Sequence, residues 1–352
     1  MLSWFFSSKK IIGLDIGASA IKMVQLDAGK GSATLNGFGF IPTPPQSIVG
    51  GEIADPTAIS NAIKSLIAEL KTSRKSIAVG LWGSGVIVKK ISIPRVDENV
   101  LADQIKWEAE QYIPFDIKEI SLEHYVLKTS TSAEMMDILL VAAKKPLVFR
   151  LIDIITGCDL SCDVVDLSTF ALANCYTFNY GKNSDVVALL DVGAQITNFA
   201  IVQDGQVLFC RDVPVGGFTF TADISREMGV SLEEAEGLKL AAFSNQQVPS
   251  EVSNVLKNTT ESVAEEIQNS FNFFGATGAT GAISKFLITG GASGMSGFAD
   301  YLTQVTGAPN EIFDPFMRVK YSTRKFSREY IDQIRPYCAV GIGLALRKKD
   351  DS

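Results

Sequence analysis

The chain carries one strand–turn–strand pattern twice. "GLDIGASAIKMVQLDAGK" begins at Gly13 and "LLDVGAQITNFAIVQDGQ" begins at Leu189. In register, Asp15 falls on Asp191, Gly17 on Gly193 and Gly29 on Gly205. An Asp-x-Gly tip between two strands puts backbone N–H groups and a carboxylate at one edge of a sheet. Glycine permits positive φ and close approach of a ligand, and successive N–H groups in such a turn make a concavity for anions. A carboxylate beside a phosphate needs a cation between them, which implies Mg²⁺. A single Asp-x-Gly says little, because Asp and Gly are common turn residues. Two aligned copies split the chain into halves opening near Lys10 and near Ser184, and imply two sheet-containing lobes with a cleft between them.

The copies differ. The first adds Ser19, a hydroxyl donor for a phosphate oxygen, and Lys22, an ammonium for β/γ charge. The second has Thr197 and no lysine. Two further stretches fit a nucleotide. "KFLITGGASGMSGFADYL" reads as a buried strand, the pair Gly290-Gly291, then a helix start, with the glycines allowing flat approach of a base or sugar. "SLEEAEGLK" opens with a capping box, Ser231 and Glu234, and sets Glu236 and Lys239 on one helix face. Glu236 and Lys239 read either as a surface ion pair or as a carboxylate and ammonium for ribose hydroxyls.

With 352 residues, 46% hydrophobic and 20% charged, the chain is long enough for a large core and reads as globular. A net charge of −7 disfavours broad nucleic-acid binding and unaided adhesion to anionic lipid. The cysteines, Cys158, Cys162, Cys175, Cys210 and Cys338, are odd in number and scattered, so they read as free buried thiols in a reducing cytosol. No run is apolar for long enough to span a bilayer. "MLSWFF" is too short for a signal core and precedes its lysines, so it reads as a packed or disordered terminus, or an aromatic toe on lipid or a neighbouring subunit. The one histidine, His124 in "SLEHYVL", leaves Ser-His chemistry without support and reads as structural.

Val- and Ile-rich runs such as "IIGLDI", "IKMVQL", "IAVGLW", "MDILLVAA", "DVVALLDV" and "KFLITG" read as strands. "DPTAISNAIKSLIAEL" reads as a helix capped by Asp55 with Pro56 in its first turn. "VDENVLADQIKWEAEQYIPFD" reads as a helix capped by Asp97 and stopped by Pro114, and its polar, aromatic end exceeds what packing requires. "EVSNVLKNTTESVAEEIQNSFNFFG" is a long amphipathic helix, followed by the glycine-rich loop "GATGATGAIS". Strands mixed with helices make an α/β protein.

In this order the elements resemble the actin/hexokinase/heat-shock-chaperone ATPase superfamily. "LDIGASAIK" and "LDVGAQIT" are similar to its two phosphate motifs, "LITGGASG" to its adenosine motif, and "EGLK" to the adenosine contact of the chaperone branch. "VDLSTFALANCY" and "YCAVGIGLALR" are similar to its connecting helices. Within the superfamily, "WEAEQYIPFD", "DVGAQITNFAIVQDGQ", "PVGG" and "AEGLK" resemble the PilM family of the type IV pilus inner-membrane platform. There is also a resemblance to the cell-division protein FtsA, but the chain ends "LALRKKDDS", without the membrane helix expected there.

The resemblance implies an actin-like ATPase fold (ribonuclease H-like, duplicated) of two lobes and four subdomains. Subdomain 1A would take 1–85, 164–183 and 331–352; 1C, 86–163; 2A, 184–220 and 283–330; 2B, 221–282. It implies ATP and Mg as cofactors. Asp15, Gly17, Ser19 and Lys22 would serve the phosphates, with Asp191, Gly193 and Thr197 on the other side. Asp15 and Asp191 would hold Mg²⁺ through water. Glu236, Lys239, Gly290 and Gly291 would serve the nucleoside. Asp166 falls where the chaperone branch has a water-orienting glutamate; one methylene shorter, it implies slow turnover at most. The implied partner is the cytoplasmic N-terminal peptide of PilN, in a groove between 1A and 1C, with Glu108, Gln111, Tyr112 and Ile113 as groove candidates. The chain would then be cytoplasmic and peripheral at the inner membrane, with further pilus platform or motor proteins and self-association left open. A filament-forming FtsA-like protein and a small-molecule kinase are the alternatives.

Overall fold

The computed structural model describes residues 10–29, 31–128, 134–276, 282–295 and 297–349. "MLSWFF" and the centre of "GATGATGAIS" lie outside the described residues. The chain forms two compact units, one up to Gly181 together with Pro315 onward, the other Lys182–Asp314.

The first unit runs β1 (Ile12–Ile16), β2 (Ala20–Ala28), β3 (Ala33–Pro42), β4 (Ile48–Val49), β5 (Glu52–Ile53), α1 (Pro56–Leu70), β6 (Ser76–Leu81), β7 (Val86–Pro94), α2 (Glu98–Tyr112), β8 (Ile120–Leu127), β9 (Met135–Lys144), α3 (Lys145–Thr156), β10 (Ser161–Leu167) and α4 (Ser168–Tyr180). The second contains β11 (Val187–Val192), β12 (Thr197–Gln203), β13 (Gln206–Val213), α5 (Gly217–Met228), α6 (Leu232–Phe243), α7 (Ser250–Ala276), β14 (Lys285–Thr289), α8 (Phe298–Thr306) and β15 (Asn310–Ile312). The chain then returns to the first unit as β16 (Val319–Tyr321), α9 (Arg328–Ile334) and α10 (Ala339–Ala345).

Each unit is built on a mixed sheet. The first has the order β10-β6-β1-β2-β3-β16 and the second β13-β12-β11-β14-β15. Every residue of β1 and of β6 is buried, as a strand covered on both faces requires. The two faces are built differently. Ile12, Leu14, Ile16, Ile77 and Val79 meet Ile59, Ile63 and Leu66 of α1 and Leu151, Ile154 and Ile155 of α3 in one aliphatic core. The opposite face carries Gly13, Ala78 and Gly80, and α10 sits directly on it. A Cβ on Gly13 would lie 2.1 Å from the Gly341 carbonyl oxygen, and one on Gly343 would lie 1.8 Å from that of Ala171 in α4. In the second unit Phe199, Phe220, Phe286 and Phe298 centre a core shared with Val263 and Ile267 of α7, which confirms the expected core-facing stripe.

β7, β9 and β8 form a separate antiparallel sheet, on which α2 packs through Leu101, Ile105 and Ala109 against Ile91, Ile138 and Leu140. Two boundaries differ from the sequence reading. α3 packs into the core of the six-stranded sheet and β10 pairs in parallel with β6, so the inserted layer ends at Lys144 rather than at 163. β16 pairs in parallel with β3, so residues from Pro315 belong with the first unit rather than the second. Both differences come from long-range pairing of strands too short, or too far along the chain, for a local pattern to reveal. Asp55 caps α1 by accepting from the Ala58 amide at 2.9 Å, whereas the Asp97 side chain makes no capping bond to α2.

All five cysteines are free thiols. Burial pushes the partly exposed Cys162 up to about 11 and raises Cys158 and Cys338 as well. Thiolate, not thiol, is the nucleophile, so alkylation of the native chain at neutral pH should be slow and should become fast in denaturant, as read by mass spectrometry. Gly343→Ala should destabilise the first unit by about 1–3 kcal/mol or more, because α10 cannot keep its contact with α4. Denaturant unfolding checks this, and unchanged stability would remove the close helix contact.

Candidate functional site

The two turns have the same construction. In the first, β1 and β2 pair with Asp15 opposite Lys22 and Ile16 opposite Ile21, and the Gly17 amide donates to the Ala20 carbonyl at 3.0 Å. Thr43, just past β3, donates its hydroxyl to the Gly17 carbonyl at 2.6 Å and its amide to the Ser19 carbonyl at 3.0 Å. With those carbonyls held, the hairpin's own bonds do not use the amides of Ala18 and Ser19. The Lys22 ammonium lies 2.9 Å from Asp15 Oδ2, with both side chains largely buried. Ser19 is exposed at the tip.

In the second turn Asp191 stands opposite Asn198 and Val192 opposite Thr197, and the Gly193 amide donates to the Ile196 carbonyl at 3.0 Å. The carbonyls of Gly193 and Ala194 accept from the Gly217 and Phe218 amides, at 2.9 and 2.6 Å, where α5 begins. That leaves the Ala194 and Gln195 amides outside the turn's own bonds. Asn198, not Thr197, occupies the place of Lys22, and its amide donates to Asp191 Oδ2 at 3.1 Å. Thr197 is fully buried and its hydroxyl donates to the Val215 carbonyl at 2.8 Å, so it does not reach the turn's surface as the sequence reading expected. Strand alternation turns it inward.

The other second-unit candidates gather at the end of β11. Gly290 has φ +101°, and a Cβ there would lie 2.4 Å from the Val192 carbonyl oxygen, which accepts from the Ala292 amide at 3.0 Å. Lys239 is buried rather than a surface partner. Its ammonium lies 2.7 Å from Glu236 Oε2, 3.0 Å from Thr221 Oγ1 and 3.2 Å from the Gly217 carbonyl. Glu236 remains partly exposed beside it, and Gly291 is exposed. Past the end of α6 lies a cavity of about 620 Å³, bordered by Phe243, Leu256, Lys257, Met295 and Tyr301.

Asp166 is the penultimate residue of strand β10 and lies before the connecting helix, which starts at Ser168. The pairs Leu14–Val79 and Val79–Val165 put Asp15, Gly80 and Asp166 one residue further on, in a single row across the sheet. Asp166 Oδ1 accepts from the Leu167 amide at 2.9 Å, and Oδ2 lies 3.5 Å from Arg347 Nε. Burial raises its carboxyl above the ordinary range, and the guanidinium pulls the other way.

The four groove candidates separate. Ile113 is buried in the core under α2, and Glu108 is buried with Oε1 accepting from Gln104 Nε2 at 2.9 Å. Ile113 helps hold α2 to its sheet and Glu108 is bonded within α2 itself, so both side chains are buried rather than set out as groove surface, a correction to the expected groove. Gln111 is exposed, and Tyr112 is 40% exposed with the Lys89 ammonium 5.0 Å from its ring centre. Trp107, 60% exposed on the same helix, was not among the expected residues. His124 lies exposed on β8.

The family model for the type IV pilus assembly protein PilM matches residues 13–349. The chain belongs to the PilM family. Among solved structures, the PilM–PilN type IV pilus biogenesis complex matches with a TM-score of 0.84 at 27% identity, over 96% of this chain and 98% of that one. The cell division protein FtsA of Bacillus subtilis (strain 168) is 20% identical over 380 residues, 95% of this chain and 82% of FtsA. MreB5 of Spiroplasma citri bound to ADP matches with a TM-score of 0.50 at 13% identity, over 87% of this chain and 92% of that one. The fold is the actin-like ATPase fold.

The PilM-family site goes beyond the residues read from the sequence. Asn198 was legible, since the offset that carries Asp15 to Asp191 carries Lys22 to Asn198. Gly216-Gly217 stood in "PVGG", where a Cβ on Gly216 would lie 2.5 Å from the Gly193 carbonyl oxygen. Thr43 and Thr221 had no local signal. Among the described residues no three His, Cys, Asp or Glu side chains cluster to hold a metal alone. Mg²⁺ bound to a nucleotide takes most of its ligands from phosphate and water and needs only one or two carboxylates; Asp15 in the first unit and Asp191 in the second are each a carboxylate of the kind that could serve. Gly290→Ala should lower stability by about 1–3 kcal/mol through strain and overlap, and should weaken nucleotide binding as the second turn shifts. Calorimetry with Mg-ATP checks this, and unchanged affinity would separate Gly290 from the site.

Proposed function

We propose that this chain is a Mg-ATP-binding scaffold of type IV pilus assembly that docks the N-terminal peptide of PilN and is thereby held at the inner membrane. The observation that carries the nucleotide half is the repeated turn, in which each copy sets a carboxylate two residues before a tightly closed glycine and leaves two tip amides out of its own backbone bonds. Each turn, in its own unit, offers a place for nucleotide phosphate. Ala18, Ser19, Ala194 and Gln195 supply amides, and Lys22 shifts its charge from Asp15 toward β/γ oxygens. Asp15 or Asp191 would hold Mg²⁺ through water, and Mg²⁺ would neutralise phosphate charge there. Glu236, set by Lys239 and Thr221, accepts from ribose hydroxyls, and Gly290-Gly291 lies flat against the nucleoside.

The PilN half is supported by family membership and by the likeness to the PilM–PilN complex. Gln111, Tyr112 and the exposed Trp107 are the α2 residues that can reach such a peptide. Trp and Tyr are rich sources of binding energy at interfaces.

Lys22→Ala should weaken Mg-ATP binding about ten- to hundredfold, the weight of a charge-assisted contact. Affinity equal to the parent's would overturn the phosphate assignment. Trp107→Ala should weaken binding of the PilN peptide at least about fivefold by fluorescence anisotropy, with little change in fold, because the side chain is exposed. An unchanged affinity would move the peptide off this face of α2.

A further inference from the structure

Two buried carboxylates on the edge strand β10 face the basic segment that leaves α10. Asp163 and Asp166 are three residues apart, which in a regular strand places side chains on opposite faces. The register between β10 and β6 shifts between Cys162 and Val164. A bulge inserts one unpaired residue and re-aims side chains beyond it, so both carboxylates reach the same segment. Asp166 Oδ2 lies 3.5 Å from Arg347 Nε, and Asp163 Oδ1 lies 4.0 Å from Lys349 Nζ. Asp163 also accepts from the Ser76 and Ser161 hydroxyls at 2.7 and 2.5 Å.

Asp166 is held but not satisfied. Oδ1 is taken by the Leu167 amide, and Oδ2 has no hydrogen-bond donor although Arg347 stands beside it. The Ser168 hydroxyl next to it is also buried without a partner, and it fills the space where a Cβ on Gly80 would stand, 2.7 Å away. Gly80 is the residue between Asp15 and Asp166 in their row, so no side chain of β6 separates the two carboxylates. A buried polar group left unsatisfied costs stability, and here it sits two strands from the phosphate turn.

We propose that Arg347 is a latch on Asp166: while the segment after α10 is docked on β10, Asp166 is turned away from the nucleotide, and release of that segment frees it to orient water. The proposal rests on the nucleotide reading above. In the released state the Asp166 carboxylate takes a proton from water as the water oxygen bonds to the γ-phosphorus. The bond from γ-phosphorus to the bridging oxygen breaks, its electron pair leaves with ADP, and the proton passes on to the phosphate released. Arg347 and Lys349 act through Asp166 and touch no substrate, so they are positioning residues.

The test uses the full chain and Mg-ATP. Calorimetry comes first, because a parent that binds no ATP fails the nucleotide reading itself. Given binding, Arg347→Gln should bind Mg-ATP like the parent and release phosphate at least about tenfold faster in single turnover, a fraction of what a positioned base supplies. Asp166→Asn should abolish that gain in the double variant. Hydrogen exchange at the Leu167 amide should speed up in Arg347→Gln, because Asp166 leaves that donor, whereas exchange in the β11–β12 hairpin should not change. If Arg347→Gln is unstable, Lys349→Gln loosens the same segment from its exposed end and should give a smaller rise in both readouts. Unchanged turnover with unchanged Leu167 exchange overturns the latch. So does a gain that persists in the double variant.

Discussion

One hydrogen bond, made twice, sets the rest of the architecture. The Gly17 amide reaches the Ala20 carbonyl and the Gly193 amide reaches the Ile196 carbonyl, each at 3.0 Å. The closure is so tight that a Cβ on Gly193 would lie 2.7 Å from the Ile196 carbonyl oxygen, and one on Gly17 would lie 3.0 Å from that of Ala20. Glycine is therefore required at position 193 and favoured at position 17 before any ligand is considered. Once closed, the turn fixes the register of both strands, sets an aspartate two residues before each glycine, and places opposite it Lys22 or Asn198. A neighbouring element then pins the turn's carbonyls: Thr43 in the first unit, the start of α5 in the second. Binding geometry follows from folding geometry, because carbonyls turned inward leave amides turned out.

The copies diverge where charge matters. Asp15 faces an ammonium at 2.9 Å, so the first turn is nearly neutral as a unit. Asp191 instead accepts from the neutral side-chain amide of Asn198. Phosphate is compatible with the first turn through a shift of one lysine, but with the second only when a cation intervenes. The duplication is symmetric in backbone and asymmetric in electrostatics. Under the nucleotide reading proposed above, that asymmetry would give Lys22 a direct phosphate role and Asp191 a metal-dependent one.

Much of this was legible in the sequence because it is local. The strand pairs, the glycine requirement and the capped helix α1 each follow from a few adjacent residues. The constant spacing of the repeat also reported Asn198, although β-alternation, which buries Thr197, had to be applied to read it correctly. What was not legible depends on distant partners. α3 and β10 look like a continuation of the inserted layer until β10 pairs with β6, and β16 is three residues long. Glu108 sits in a polar, aromatic run that reads as surface, yet it is buried and bonded to Gln104 one helical turn away. Asp166 was found through resemblance, but its partner Arg347 lies at the other end of the chain.

The small-residue face of the six-stranded sheet explains how that distant partner comes to matter. Gly13 and Gly343 let α10 lie directly against backbone, and Gly341 fits it against the Val24 side chain. Close-packed elements of this kind transmit strain. The helix begins after Cys338, which lies within the electrostatic reach of Lys22 and Asp15, and it ends before Arg347 at Asp166. Its seven residues span about 10 Å at 1.5 Å each, about the width of two strand spacings. One short helix thus runs from the neighbourhood of the first turn to the edge strand. Under the latch proposed above, a change in the charge around Lys22 and a change in the hold on Asp166 would act on opposite ends of the same short helix, so the two would be felt together rather than as separate features.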